Sequence, residues 1–105
     1  MENSVKTLKV NVNTYWYGLL EDKSVDFDYR EAKPYWTKRL TTCRPNETDV
    51  DTLNNNIKQY DEIEFFIPYT TKKLRYEIAS ITAHKGIDVG LKMGACFIIK
   101  LGKRI

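Results

Sequence analysis

Residues 74–83 read Leu-Arg-Tyr-Glu-Ile-Ala-Ser-Ile-Thr-Ala, and this stretch decides the fold. Its side chains alternate with a period of two, which is typical of a β-strand whose successive residues point to opposite faces. One face begins with Leu74 and Tyr76, and the other ends with Ile81 and Ala83. Apolar residues on both faces of one strand are expected where the sheet is closed or two-layered.

Shorter patterns on either side of this strand predict the remaining elements. Four further strands are predicted within residues 8–12, 25–29, 63–67 and 96–101. Asn13 or Thr14 can cap one short helix, and Pro34 is suited to begin a second. Residues 41–56 read as a loop, with a helical turn near Leu53–Ile57. The sequence therefore predicts an α+β, mainly β fold: a small mixed β-barrel of about five to six strands with two short helices.

Length and composition restrict the class of protein. The chain has 105 residues, of which 42% are hydrophobic, and this predicts a single domain over residues 1–105. No apolar run approaches the roughly 20 residues that span a bilayer, so no membrane partner is expected. Cys43 and Cys96 are far apart and form no Cys-x-x-Cys pair, which favours one exposed and one buried free thiol. A cytoplasmic location is expected.

The net charge of +3 hides an asymmetry along the chain. Residues 1–71 carry 9 basic and 12 acidic side chains. The remaining basic residues are Lys72, Lys73, Arg75, Lys85, Lys92, Lys100, Lys103 and Arg104. Only Glu77 and Asp88 oppose them. Such a bias favours a polyanionic partner if folding gathers these cations on one surface, whereas ordinary solvated strand faces are the alternative.

The residue types that hold metals or act as nucleophiles are sparse. His84 is the only histidine, and no cluster of Cys and His residues is present, so neither a metal site nor a cofactor is expected. His84 ends the long strand, which favours a polar strand-end residue over a catalyst.

The chemistry is densest in residues 23–39. Asp26, Asp28 and Arg30 share one face of the predicted strand. Carboxylates two residues apart repel each other unless a cation is near, and Arg30 or Lys23 could supply it. A guanidinium can also hold a phosphate or stack on a base. The alternative is a solvated strand edge with salt bridges.

Three short motifs in this region carry a family resemblance. They are Glu21-Asp22-Lys23-Ser24, then Asp28-Tyr29-Arg30, then Lys33-Pro34-Tyr35-Trp36 with Arg39-Leu40. Together they resemble the ASCH domain family, in the branch with a Pro-Tyr-Trp…Arg-Leu helix. Residues 60–65 and 97–102 are similar to that branch as well. ASCH domains belong to the PUA-like superfamily of small β-barrels associated with RNA, so the resemblance implies a PUA-like barrel.

The resemblance also implies site residues. Lys23 and Ser24 match the family's Lys-Thr turn, and a ligand-binding cleft would be lined by Lys23, Asp28, Arg30, Trp36 and Arg39. Trp36 could instead be a core residue, because it lies four positions before Leu40 on the predicted helix. Lys23 stands two residues farther from Arg30 than in the family pattern, which we interpret as a bulge that re-aims Lys23.

Three functions remain open. The first is an RNA- or nucleotide-binding module, in which cations hold phosphate and an aromatic surface stacks on a base. The second is a small amidohydrolase acting on an acylated cytidine, with Lys23 and Ser24 as catalytic residues; no residue matches the family's later glutamate. The third is an interaction protein of phage or mobile-element origin that uses the barrel as a scaffold.

Overall fold

The structure is a computed structural model that describes residues 5–91 and 94–105, so Lys92 of the basic set lies outside the described residues. Its elements are β1 Thr7–Asn11, α1 Thr14–Glu21, β2 Phe27–Glu31, α2 Pro34–Leu40, α3 Val50–Asn54, β3 Glu62–Phe66, β4 Lys73–Lys85, a 3-10 helix Gly86–Val89, and β5 Ala95–Arg104. The fold is α+β and mainly β, which confirms the predicted class.

The strands form a mixed sheet in the order β1-β3-β4-β5-β2. β1 pairs in parallel with β3, and Leu8 lies opposite Ile63. β3 pairs antiparallel with β4, and Ile63 lies opposite Tyr76. The decisive stretch, residues 74–83, is indeed one long strand, because β4 runs through all of it.

The third α-helix lies in the segment where the sequence predicted a loop with one helical turn. α3 begins earlier than that turn because Asp49 caps it: the Asp49 carboxylate accepts the backbone N–H of Thr52 at 3.0 Å and its hydroxyl at 2.7 Å. Leu53 is the buried residue of this helix. A cap and one apolar anchor therefore suffice to fix a five-residue helix.

Contacts along the chain divide it into two compact units. Unit 1 is drawn from Met1–Phe27, Gln59–Ala79 and Lys100–Ile105, and unit 2 from Asp28–Lys58 and Ser80–Ile99. The single-domain organisation inferred from length stays a prediction.

Unit 1 is built on the paired strands β1, β3 and the first half of β4. Its buried apolar residues are Leu8, Val10, Val12, Tyr17, Leu20, Ile63, Phe65, Leu74, Tyr76 and Leu101. The Tyr76 hydroxyl donates to the carbonyl of Leu20 at 2.6 Å, so burial of this phenol leaves no unsatisfied donor. This bond fixes the end of α1 against β4.

Unit 2 contains α2, α3, the second half of β4 and the first half of β5. Its buried apolar residues are Leu40, Leu53, Ala83, Cys96, Phe97 and Ile99. The Asn54 side chain makes two hydrogen bonds to the backbone of Ala83: its Nδ2 donates to the carbonyl at 2.9 Å, and its Oδ1 accepts from the N–H at 2.7 Å. Two of the predicted site residues, Trp36 and Arg39, lie on α2 in this unit.

Candidate functional site

Four of the predicted binding residues are joined by contacts within unit 2. We call Asp28, Arg30, Tyr35, Trp36 and Arg39 the arginine–aromatic cluster. β2 supplies its first two members and α2 the other three. Pro34 stands at the first turn of α2, where its missing N–H costs nothing and its fixed φ favours the helix. The sequence motif that carries the family resemblance thus becomes a contiguous group of side chains.

Asp28 is the buried member of the cluster. Its side chain is 4% exposed, and its Oδ2 accepts a hydrogen bond from Nε of Arg30 at 2.8 Å. The alternative of a solvated strand edge does not hold at Asp28, which is buried, whereas Tyr29 on the opposite face is exposed. A buried carboxylate requires a hydrogen-bonded cation. Arg30, two positions later on the same strand face, provides that cation. The predicted pairing of a carboxylate with Arg30 is confirmed.

Trp36 is half-buried rather than a core residue. The guanidinium carbon of Arg30 lies 4.9 Å from its ring centroid, and that of Arg39 lies 5.1 Å away. Both distances are within the range of cation–π attraction. The core position on α2 belongs instead to Leu40, which is fully buried. The ring of Trp36 thus positions two guanidinium groups.

Tyr35 is a member of the cluster that the predicted site residues did not include. Its hydroxyl accepts a hydrogen bond from Nη1 of Arg39 at 3.2 Å, and the Arg39 guanidinium lies 5.5 Å from its ring centroid. The Tyr35 ring meets Trp36 edge-on, with centroids 5.1 Å apart. It is 63% exposed, so much of its aromatic surface is open to solvent. The i,i+4 spacing of Tyr35 and Arg39 was the signal that could have identified this pair.

The inner face of α2 holds a buried hydroxyl. Thr37 is fully buried, and its Oγ1 has no hydrogen-bond partner among the described residues. Its carbonyl, by contrast, accepts the hydroxyl of Thr41 at 2.7 Å. An unsatisfied buried hydroxyl lowers stability, because its bonds to water are not replaced.

Lys23 and Ser24, the predicted catalytic pair, lie in unit 1 at the end of α1. Lys23 donates its N–H to the Leu20 carbonyl at 3.3 Å, and Ser24 donates to the Leu19 carbonyl at 2.9 Å. These are the two hydrogen bonds of a Schellman motif, in which Lys23 takes the left-handed position with φ +63°. The interpretation as a bulge is wrong: the extra residues complete the C-terminus of α1 before β2 begins.

Ser24 is engaged by its own turn. Its backbone N–H donates to the Asp22 carboxylate at 2.9 Å. Hydrogen bonds from the Ser24 hydroxyl and then from its N–H lower the pKa of Asp22. Both residues are exposed. The geometry is that of a local turn rather than of a nucleophile oriented toward a base.

The other candidate nucleophiles and ligands have structural surroundings. Burial raises the pKa of the Cys96 thiol, which keeps it protonated and unreactive. Cys43 is half-buried rather than exposed, and its thiol donates a hydrogen bond to the carbonyl of Thr52 at 3.6 Å. His84 has Nε2 within 2.8 Å of the Thr82 hydroxyl on the same strand. Across residues 5–91 and 94–105, no group of three or more His, Cys, Asp or Glu side chains could hold a metal ion.

None of the helices within the described ranges is both long and apolar enough to cross a membrane. No protein-family model matches the sequence, and comparison with curated proteins finds no match.

Proposed function

We propose that this chain is an ASCH-like, cytoplasmic module that binds RNA or nucleotides through the arginine–aromatic cluster. The observation that carries the proposal is the placement of two guanidinium groups 4.9 and 5.1 Å from the Trp36 ring, beside the exposed ring of Tyr35. Guanidinium forks match phosphate oxygens, and aromatic faces stack on unpaired bases. The motif resemblance and the free thiols of Cys43 and Cys96 agree with this proposal.

The cluster is preorganised for such a ligand. Arg30 is held by Asp28 at Nε, and Arg39 is held by the Tyr35 hydroxyl at Nη1. Fixing a long side chain before binding reduces the entropy that the complex must lose. The cluster contains two guanidinium groups and one carboxylate, so its net positive charge favours an anionic ligand. Single-stranded RNA suits it best, because only unpaired bases can leave a stack to meet Tyr35.

The test is binding of a fluorescently labelled single-stranded RNA, followed by anisotropy at several salt concentrations. Two phosphate contacts predict a slope of about −1.4 in log affinity against log salt, so raising salt from about 50 to 200 mM lowers affinity about sevenfold. Arg39→Gln should lower affinity and halve that slope, because it removes one of the two contacts. Lys38→Gln is the matched control, since it removes an exposed cation of the same helix outside the cluster.

A second readout locates the ligand. The chain has two tryptophans, so Trp16→Phe leaves Trp36 as the sole indole. RNA should then change the Trp36 emission, and Tyr35→Ala should weaken the effect by removing the exposed ring. An absence of binding to RNA and nucleotides at low salt would end the proposal. Turnover of an acylated cytidine that is lost in Lys23→Ala would replace it with the amidohydrolase.

A further inference from the structure

Unit 1 contains an open cavity of about 500 Å³ that lies outside the arginine–aromatic cluster. Three cationic side chains line it, from Lys23, Lys103 and Arg104, against the single carboxylate of Asp26. Leu101 contributes an apolar wall. The volume falls within the range of cavities that hold small organic ligands. Charge and size together favour an anion attached to a larger group.

Backbone hydrogen bonds hold the walls of this cavity in place. The N–H of Leu101 donates to the Asp26 carbonyl at 2.8 Å, which joins β5 to the segment before β2. The carbonyl of Leu20 accepts both the Tyr76 hydroxyl and the Lys23 N–H, at 2.6 and 3.3 Å. The backbone that presents Lys23 is thus tied to the buried phenol of Tyr76, which also lines the cavity.

Lys23 occupies a conformation that its side chain disfavours. A residue with a Cβ at φ +63° costs free energy relative to glycine, the usual residue at this position of a Schellman motif. Non-glycine residues in this conformation are enriched at ligand-binding sites. Lys23 combines the conformation with a cationic side chain on the cavity wall.

Within the described residues, none of the three cations of the cavity forms a salt bridge of its own. The ion pairs of Arg30 with Asp28, Lys33 with Glu31 and Arg75 with Glu62 use other cations. All three cationic residues are exposed, so an incoming anion meets them without breaking a salt bridge.

We propose that this cavity binds a small organic phosphate, a phosphate monoester whose attached group occupies the rest of the space. Lys23, Lys103 and Arg104 bind the phosphate oxygens, because a monoester carries up to two negative charges and three acceptor oxygens. Leu101 packs against the attached group, and Asp26 accepts a hydrogen bond from a hydroxyl or amino group on it. Inorganic phosphate alone would leave the apolar part of the cavity empty.

The site is independent of the proposed function, since it shares no residue with the arginine–aromatic cluster. It accepts either a free small molecule or the 5′-phosphate at the end of a nucleic acid, because both present the same monoester. The two sources are distinguished with adenosine 5′-monophosphate and with a short RNA that carries either a 5′-phosphate or a 5′-hydroxyl.

The experiment is calorimetric titration of the intact chain with adenosine 5′-monophosphate, inorganic phosphate and adenosine. We expect the monophosphate to bind about tenfold more tightly than either fragment, because only it uses both the cations and the apolar wall. Lys103→Gln and Arg104→Gln should each weaken it about tenfold. Lys100→Gln is the matched control, being an exposed cation of β5 that does not line the cavity.

Two results would overturn the proposal. One is that adenosine 5′-monophosphate does not bind with a Kd of about 1 mM or tighter. The other is equal behaviour of Lys103→Gln and Lys100→Gln. Arg39→Gln separates the two proposals, because the cluster is itself proposed to bind nucleotides: the binding that belongs to the cavity is the part that persists in Arg39→Gln and is lost in Lys103→Gln. Monophosphate binding that is lost in Arg39→Gln and unaffected in Lys103→Gln would assign the phosphate to the cluster. Failure of RNA binding at the cluster leaves the expected titration of this cavity intact.

Discussion

Replacing Lys23 with glycine should make the protein more stable than replacing it with alanine, although both changes remove a side chain that lines the cavity. Lys23 holds φ +63° at the end of α1, a conformation that costs a residue with a Cβ about 1–2 kcal/mol. Glycine removes that cost but gains about 0.4–1 kcal/mol of conformational freedom in the unfolded chain. The balance predicts that Lys23→Gly is about 1 kcal/mol more stable than Lys23→Ala, which loses the same side chain and keeps the strain.

The assay is equilibrium unfolding in urea, supported by the thermal midpoint. For a domain of about 100 residues, 1 kcal/mol corresponds to roughly 4 °C or slightly more in Tm. Tyr69 supplies an internal control, since it has φ +64°, is fully exposed, and follows Pro68 in the turn between β3 and β4. The free energy of unfolding of Tyr69→Gly should exceed that of Tyr69→Ala by a similar amount, because the backbone strain is the same.

The refuting result is specific. If Lys23→Gly and Lys23→Ala unfold at the same urea concentration while the Tyr69 pair differs as expected, Lys23 carries no strain worth relieving. The backbone conformation of Lys23 would then be no indicator of a binding role for the cavity. If Lys23→Gly is the more stable variant and also loses monophosphate binding, stability and ligand affinity oppose each other at this one residue.

Three further outcomes are expected from the second unit. Thr37→Val should raise the free energy of unfolding by about 1 kcal/mol, measured in urea, because it replaces a buried hydroxyl that has no partner among the described residues with a methyl group. A loss of stability would show that the hydroxyl is hydrogen-bonded. Arg30→Gln should lower the free energy of unfolding by about 1–3 kcal/mol, since it leaves the Asp28 carboxylate buried without its cation, and Arg30→Lys should lie between wild type and Arg30→Gln. The Thr52 hydroxyl and then its N–H lower the pKa of Asp49, so this carboxylate binds its proton less readily in the folded state. Its stabilising effect is therefore present above the ordinary carboxyl range and is lost as pH falls through that range and below it, and Asp49→Asn should show a smaller drop in Tm between neutral pH and about pH 3; an unchanged drop would contradict this.

Local patterns predicted most of the fold because they depend on near neighbours in the sequence. The period of two over residues 74–83 identified β4, and Pro34 identified the start of α2. Asn13 was one of two candidate caps, and its Oδ1 does accept the N–H of Trp16 at 2.8 Å. The short helix α3 was predicted only as a helical turn near Leu53–Ile57, because five residues show no periodicity and its start is indicated only by the Asp49 cap.

The site was harder to predict because its properties depend on burial. The sequence places Asp28 and Arg30 on one strand face, but it cannot tell which face is covered, and the face with the carboxylate proved to be the buried one at Asp28. The left-handed position at Lys23 was missed for a related reason, because glycine is the usual signal for it. The basic C-terminal third was recognised by charge, and Lys103 and Arg104 do lie beside Lys23 on one cavity.

The parallel pairing of β1 with β3 has a consequence for how the chain acquires its structure. Thr7 lies opposite Glu62, so the β1–β3 ladder joins residues that are 55 positions apart in the sequence. The β3–β4 hairpin, by contrast, closes across the short turn at Pro68 and Tyr69. Loop closure over a long segment is slower than over a short one, so the hairpin should assemble first and offer β1 its template. On the ribosome, the first strand made in the described chain is therefore among the last to be paired.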